Sequence, residues 1–320
     1  MTTLIRVAFV LLLVCAGRAA AATDWAEFAL PEGSGPHDVA PAPDGTVWFT
    51  AQRAGALGRL DPSSGHVDEF PLGKGSAPHG VIVGPDGAPW VTDGGLNAIL
   101  RVDPASHAIR RYPLPAGRTE TNLNTATFDK SGVLWFTGQA GVYGRVHPSS
   151  GEVRVWDAPR GPGAYGITTT PDGVVYFASL AGSYIARIDP ATGAATVIEP
   201  PTPRQGARRI WSDSEGGLWI SEFLAGQLAR YEPSKNSWRS WRLPGDKPEP
   251  YAVYVDKHSL VWLSDFRAGT LLRFDPAKGQ FTQIAGQKSD VWVRQLLGRP
   301  GEIWGADSAH DRLIRVTGQD

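Results

Sequence analysis

The apolar positions of this chain come in short runs rich in Val, Ile, Trp, Tyr and Phe, each cut off by Asp-Gly, Pro-Asp-Gly or Asp-Pro-x-x-Gly. Turns recur too often for long helices, and β-branched and aromatic runs bounded by Gly, Pro and Asp predict strands. Aligned on their turn-plus-aromatic phrases, the runs fall into seven copies: DGTVWFT, DGAPWVTD, SGVLWFTG, DGVVYFAS, GGLWISE, SLVWLSD and GEIWGAD. Their anchors are Trp48, Trp90, Trp135, Tyr176, Trp219, Trp262 and Trp304, at successive spacings of 42, 45, 41, 43, 43 and 42 residues. That period is typical of a four-stranded propeller blade.

A second series keeps the same period. Arg59, Arg101, Arg145, Arg187, Arg230, Arg273 and Arg315 each follow their anchor by 10 or 11 residues. A residue repeated in every unit decorates the scaffold, and a salt bridge or hydrogen bond to a neighbouring turn is its expected role. Blade 2 reads as strands over residues 80–83, 89–92, 98–102 and 107–112. Pro presets φ in the intervening turns and Gly tolerates positive φ. The stretch 25–30 resembles an outer strand but precedes every inner one, whereas the last unit stops after its third strand near 313–316. The fold expected is therefore all-β, a seven-bladed β-propeller whose N-terminal strand completes the last blade and leaves no open sheet edge.

Seven units of about 42 residues fill positions 23–320, leaving no room for a second domain. A hydrophobic content of 42% with 12 Trp excludes a disordered chain, while 38 Gly and 26 Pro suit a turn-rich β fold. The anchor aromatics are expected to fill the contacts between blades.

Arg6 followed by the apolar run 7–15 and the small residues 19–22 reads as a cleavable export signal over residues 1–22, giving a periplasmic or secreted protein. Val14 stands where a lipobox needs a small residue before Cys15, which speaks against lipidation. No other run approaches the ~20 residues of a membrane-spanning helix. Cleavage removes Arg6 and Arg18, taking the formal charge from −1 to −3. So balanced a chain has no basic excess for nucleic acid. Cleavage also removes the single Cys, which excludes disulfides and thiol catalysis. No strand is apolar enough to suggest an interface, and a monomer is expected.

Ligands of such rings sit where inner strands start and second strands end, at one mouth of the central channel. Eleven residues before each anchor stand His37, His79, Asn124, Tyr165, Arg208, Tyr251 and Val293. Three residues after each anchor stand Ala51, Asp93, Gly138, Ser179, Glu222, Asp265 and Asp307. His37 and His79 occupy equivalent places in consecutive blades, which brings two imidazoles to one arc, flanked by Asp93 and, across the ring closure, Asp307. Imidazole serves as base, acid or metal ligand near neutral pH, and carboxylates orient it or hold a divalent ion. Arg208 and Arg209 replace the usual phrase in one blade only and suit an anionic group. His66 and His107 are expected to begin outer strands, with His147, His258 and His310 in turns and loops. No HExxH, GxSxG, P-loop or CxxC phrase specifies a reaction.

The phrases GPHDV, APHGV, GAYGI and EPYAV, each followed by DGxxWFT-like text and xxIxRxDP, resemble the virginiamycin B lyase family from residue 25 to the C-terminus. The resemblance implies a seven-bladed propeller that opens streptogramin B depsipeptides by elimination at the ester, assisted by Mg²⁺. It also implies channel-mouth histidines in late blades, together with glutamates. Here blade 6 keeps Glu249 but has Tyr251 in the histidine's place, blade 7 has Val293 at the matching position, and the histidines sit in blades 1 and 2.

The resulting expectation is a lyase acting on a small cyclic ester, with His37 or His79 as base and Tyr251 taking part. Asn124, Tyr165 and Arg208 are expected to bind substrate, and Asp93, Glu222, Glu249, Asp265 and Asp307 to hold the cation. A gluconolactonase-like lactone hydrolase and a non-catalytic binding propeller are the alternatives.

Overall fold

A computed structural model describes residues 24–284, 286–287 and 290–318. The expected export signal over residues 1–22 lies outside them. Every strand among the described residues belongs to one of seven four-stranded antiparallel sheets, with no helix between them. Blade 1 runs Pro36–Pro41, Val47–Ala51, Ala56–Asp61 and His66–Pro71 from the channel outward. The N-terminal strand Asp24–Ala29 pairs with Arg312–Thr317 in the register Trp25↔Val316, closing the ring as expected. In blade 2 the third strand has its expected bounds, Ala98–Val102, whereas the inner strand starts earlier, at Pro78–Val83, the second is Pro89–Asp93 and the outer one is Ile109–Pro113. His107 has φ +59° and donates its backbone N–H to the Asp103 carbonyl, so it belongs to the preceding turn.

Each anchor packs between neighbouring blades. Trp48 lies against Val81, Val91 and Leu100 of blade 2, and Trp304 against Val39, Phe49 and Leu60 of blade 1. The constant anchor-to-Arg offset is a register effect, since Trp48↔Arg59, Trp135↔Arg145 and Trp219↔Arg230 are direct cross-strand partners. Each guanidinium lies over its aromatic partner, with Arg59 5.4 Å from the Trp48 ring. Arg59, Arg101 and Arg230 also pair with the hairpin carboxylates Asp44, Asp86 and Asp213. Two of those aspartates fix the anchor as well, accepting from Trp90 Nε1 at 3.2 Å and Trp219 Nε1 at 2.9 Å.

Candidate functional site

All seven inner strands line one central channel. Each begins with a bulge. In blade 1 the pairing jumps from Pro36↔Ala51 to Val39↔Phe49, and the other six blades show a similar break. The extra residue turns two successive side chains toward the channel. A hydroxyl two residues after the anchor fixes this geometry: Thr50 Oγ1 accepts from Asp38 N at 3.0 Å and donates to the His79 carbonyl at 2.8 Å. Thr92, Thr137 and Ser221 make the same link to the carbonyls of Asn124, Tyr165 and Tyr251. Gly80 permits the close approach this needs, for a Cβ there would stand 2.6 Å from the Asn124 carbonyl oxygen.

The pairing corrects one expected position. Val293 pairs with Asp307 as Pro36 pairs with Ala51, so the blade 7 counterpart of His37 is Arg294. The reason lies in the hairpin. Gly298↔Ile303 encloses residues 299–302, one residue fewer than the 42–46 enclosed by Pro41↔Val47, and an offset counted back from the anchor slips by one.

The mouth ring is therefore His37, His79, Asn124, Tyr165, Arg208, Tyr251 and Arg294, above a second layer that includes Asp38, Thr125, Arg209 and Gln295. The His37 and His79 rings lie 3.8 Å apart, both buried. His37 Nδ1 and Asp38 Oδ1 are 2.8 Å apart, and Arg209 Nη2 donates to the same oxygen at 2.9 Å from across the channel. Asp38 Oδ1, already bonded by the Arg209 guanidinium, accepts from His37 Nδ1–H and leaves Nε2 with its lone pair. Arg209 Nη1 donates to Thr125 Oγ1 at 2.7 Å, and Thr125 donates its own proton to Asn124 Oδ1 at 2.6 Å. Asn124 Nδ2 thus faces His79 Nε2 at 3.0 Å as donor. Neutral His79 then carries its proton on Nδ1, which is buried without a partner.

Burial, followed by the charges of Arg209, Arg294 and Arg208, holds His37 well below the ordinary imidazole pKa. Burial and His37 do the same to His79, against the pull of Asp38. Both rings are neutral at pH 7. Tyr165 and Tyr251 share a hydrogen bond between their hydroxyls. Burial and its partner raise Tyr165. Burial alone would raise Tyr251 too, but Arg208, Arg209 and the bond from Tyr165 bring it below the ordinary tyrosine value. Arg208 lies 3.5 Å from the Tyr251 ring centre and 4.5 Å from Phe223. Phe223, Phe266 and the exposed Leu224 and Trp292 form an apolar rim beside Arg208 and Arg294.

The expected cation ligands are not brought together. Among the described residues, the group of His and carboxylate donors lying within 4.8 Å of one another is His37, Asp38 and His79. Asp93 accepts from Ala77 N, Leu96 N and Ser76 Oγ. Asp265 accepts from Glu249 N, Arg267 N and Ala268 N. Asp307 is bonded by Trp292 N, His310 and Arg312. These carboxylates hold mouth loops through backbone amides. Glu249 faces Arg267 at 3.8 Å. Glu222 is buried with Gln227 as its partner, and burial outweighs that bond to push its carboxyl up to about 7. Mg²⁺ prefers an octahedral oxygen set. Two imidazoles and one carboxylate already bound to a guanidinium do not fit it.

Sequence reasoning missed Asp38, Arg294, Gln295 and the hydroxyl series. The hydroxyls were visible as Thr or Ser two residues after five of the seven anchors.

Known structures share the fold. A virginiamycin B lyase from Staphylococcus aureus is 22% identical, with a TM-score of 0.85 over 92% of this chain and 99% of that one. A streptogramin B lyase is 24% identical, with a TM-score of 0.84 over 92% and 97%. A catalytically inactive histidine-to-alanine variant of the Staphylococcus aureus enzyme with quinupristin is 22% identical, with a TM-score of 0.84 over 92% and 99%. No curated protein sequence matches the chain significantly. The profile of the Virginiamycin B lyase family matches residues 15–274, and the chain belongs to that family.

Proposed function

We propose that this propeller is a lyase that opens a small cyclic ester by elimination, with His37 as the base. The observation that carries the reading is the Arg209–Asp38–His37 relay, which fixes the imidazole with Nδ1 protonated and Nε2 ready to accept a proton. His37 Nε2 takes the proton α to a carbonyl. The released electron pair forms a carbon–carbon double bond as the ester C–O bond at the β carbon breaks, and the ring opens to a carboxylate. Arg208 and Arg294 meet the charge that develops on this leaving group. His79, oriented through Asn124 and Thr125, packs against the His37 ring. Tyr165 and Tyr251 hold Arg208 in place, and the rim of Phe223, Leu224, Phe266 and Trp292 supports apolar parts of the substrate.

Export, read from residues 1–22, places the enzyme where it intercepts a substrate before entry into the cell. The magnesium assistance implied by family resemblance has no step here. The experiment is product analysis by liquid chromatography and mass spectrometry after incubation with a streptogramin B and a lactone panel, with Mg²⁺ or chelator. A ring-opened isomer of unchanged mass, formed in chelator, supports the reading. A product heavier by one water assigns hydrolysis instead, and no turnover by folded protein assigns a binding role.

A further inference from the structure

Beside the Asp38–Arg209 layer the inner strands enclose a cavity of about 390 Å³, on the side away from the histidines. A cavity of about 150 Å³ already takes a benzene ring. The walls are mostly apolar, with Val81, Val83, Phe128, Ile210, Trp211 and Leu297 among them. The ceiling is polar: Asp38, Thr125, Arg209 and Gln295 line the same space. Arg209 is buried and its Nε has no partner, while Gln295 spends Oε1 on Val39 N at 3.0 Å. A cluster of buried donors and an acceptor over an apolar barrel is the layout of a small-molecule site.

We propose that this lower channel binds a neutral amphipathic molecule, an apolar body of about eight to ten carbons ending in a primary amide or hydroxyl. The ceiling dictates the neutral head. A carboxylate there faces Asp38 and an ammonium faces Arg209, and either sheds its hydration in an apolar-walled space. An amide offers a donor to Asp38 and an acceptor to Arg209 together. The site lies on the side of the Asp38–Arg209 layer away from the histidines and shares those two residues with the proposed relay.

The test titrates the intact protein with 3-phenylpropanamide, 3-phenylpropanoate and 3-phenylpropylammonium by calorimetry, and follows the Trp211 indole N–H by NMR, assigned from Trp211→Phe. The amide is expected to bind one to one with Kd of about 1 mM or tighter. It should bind at least tenfold tighter than either ion and shift the Trp211 signal. Thr127→Phe and Ser212→Phe, which plug the lower channel from two walls, should each weaken binding at least tenfold. No binding to the wild-type chain, equal or tighter binding of an ion, an unmoved Trp211 signal, or undiminished affinity in a folded plug variant overturns the proposal.

Discussion

Arg209 Nη2 and Asp38 Oδ1 meet at 2.9 Å across the channel although 171 residues separate them in the chain. Their side chains are 5% and 2% exposed, so the pair ties blade 5 to blade 1 in a place that water barely reaches. Removing one partner leaves the other charge buried and uncompensated. Arg209→Met should therefore cost about 3–5 kcal/mol in urea unfolding. Arg209→Met combined with Asp38→Asn should recover part of that loss, because no lone charge remains, and the double-mutant cycle measures the coupling directly.

The imidazole pair sets an acid limit on stability. His37 and His79 resist protonation in the folded state, whereas unfolded imidazole titrates at the usual 6.5. Below that value the unfolded chain binds more protons, so stability falls as pH drops through 6.5 and keeps falling until the folded pKa values are reached. The limiting slope is about 1.4 kcal/mol per pH unit for each imidazole. Unfolding midpoints of the wild type between pH 8 and 5, compared with His37→Gln, should show the slope diminished in the variant.

Glu222 works in the other direction. Its folded carboxyl titrates at about 7 against an ordinary 4.5, so its contribution is full below pH 4.5 and lost as pH rises through 7. Glu222→Gln should stabilise the protein at pH 8 by about 2 kcal/mol and change little at pH 4. Thermal unfolding of both proteins at the two pH values checks the crossover.

Asp93 holds a mouth loop. Asp93→Ala strips the acceptor from Ala77 N, Leu96 N and Ser76 Oγ and should cost about 3 kcal/mol in chemical denaturation. The response of product formation to chelator should be the same as in the wild type.

The blade count and the closing strand were legible because one large aromatic per unit must fill each gap between blades, and its cross-strand Arg repeats the period. The mouth ring was legible in six blades from the same anchor. Blade 7 failed because its hairpin is one residue shorter, which put Val293 where Arg294 belongs. Asp38 stayed hidden because alternation along a strand assigns neighbouring residues to opposite faces, and the bulge breaks that rule at the channel. Asp93, Asp265 and Asp307 lie at the expected edge, but neighbouring backbone amides claim their oxygens.

The most direct test of the account compares wild type and His37→Gln for conversion of a streptogramin B to its ring-opened isomer, with folding verified by near-ultraviolet circular dichroism. Loss of a positioned general base predicts a fall in kcat/KM of about 10²–10⁴-fold, with the isomer's mass unchanged. Equal turnover by the folded variant would contradict the assignment of His37 as the base.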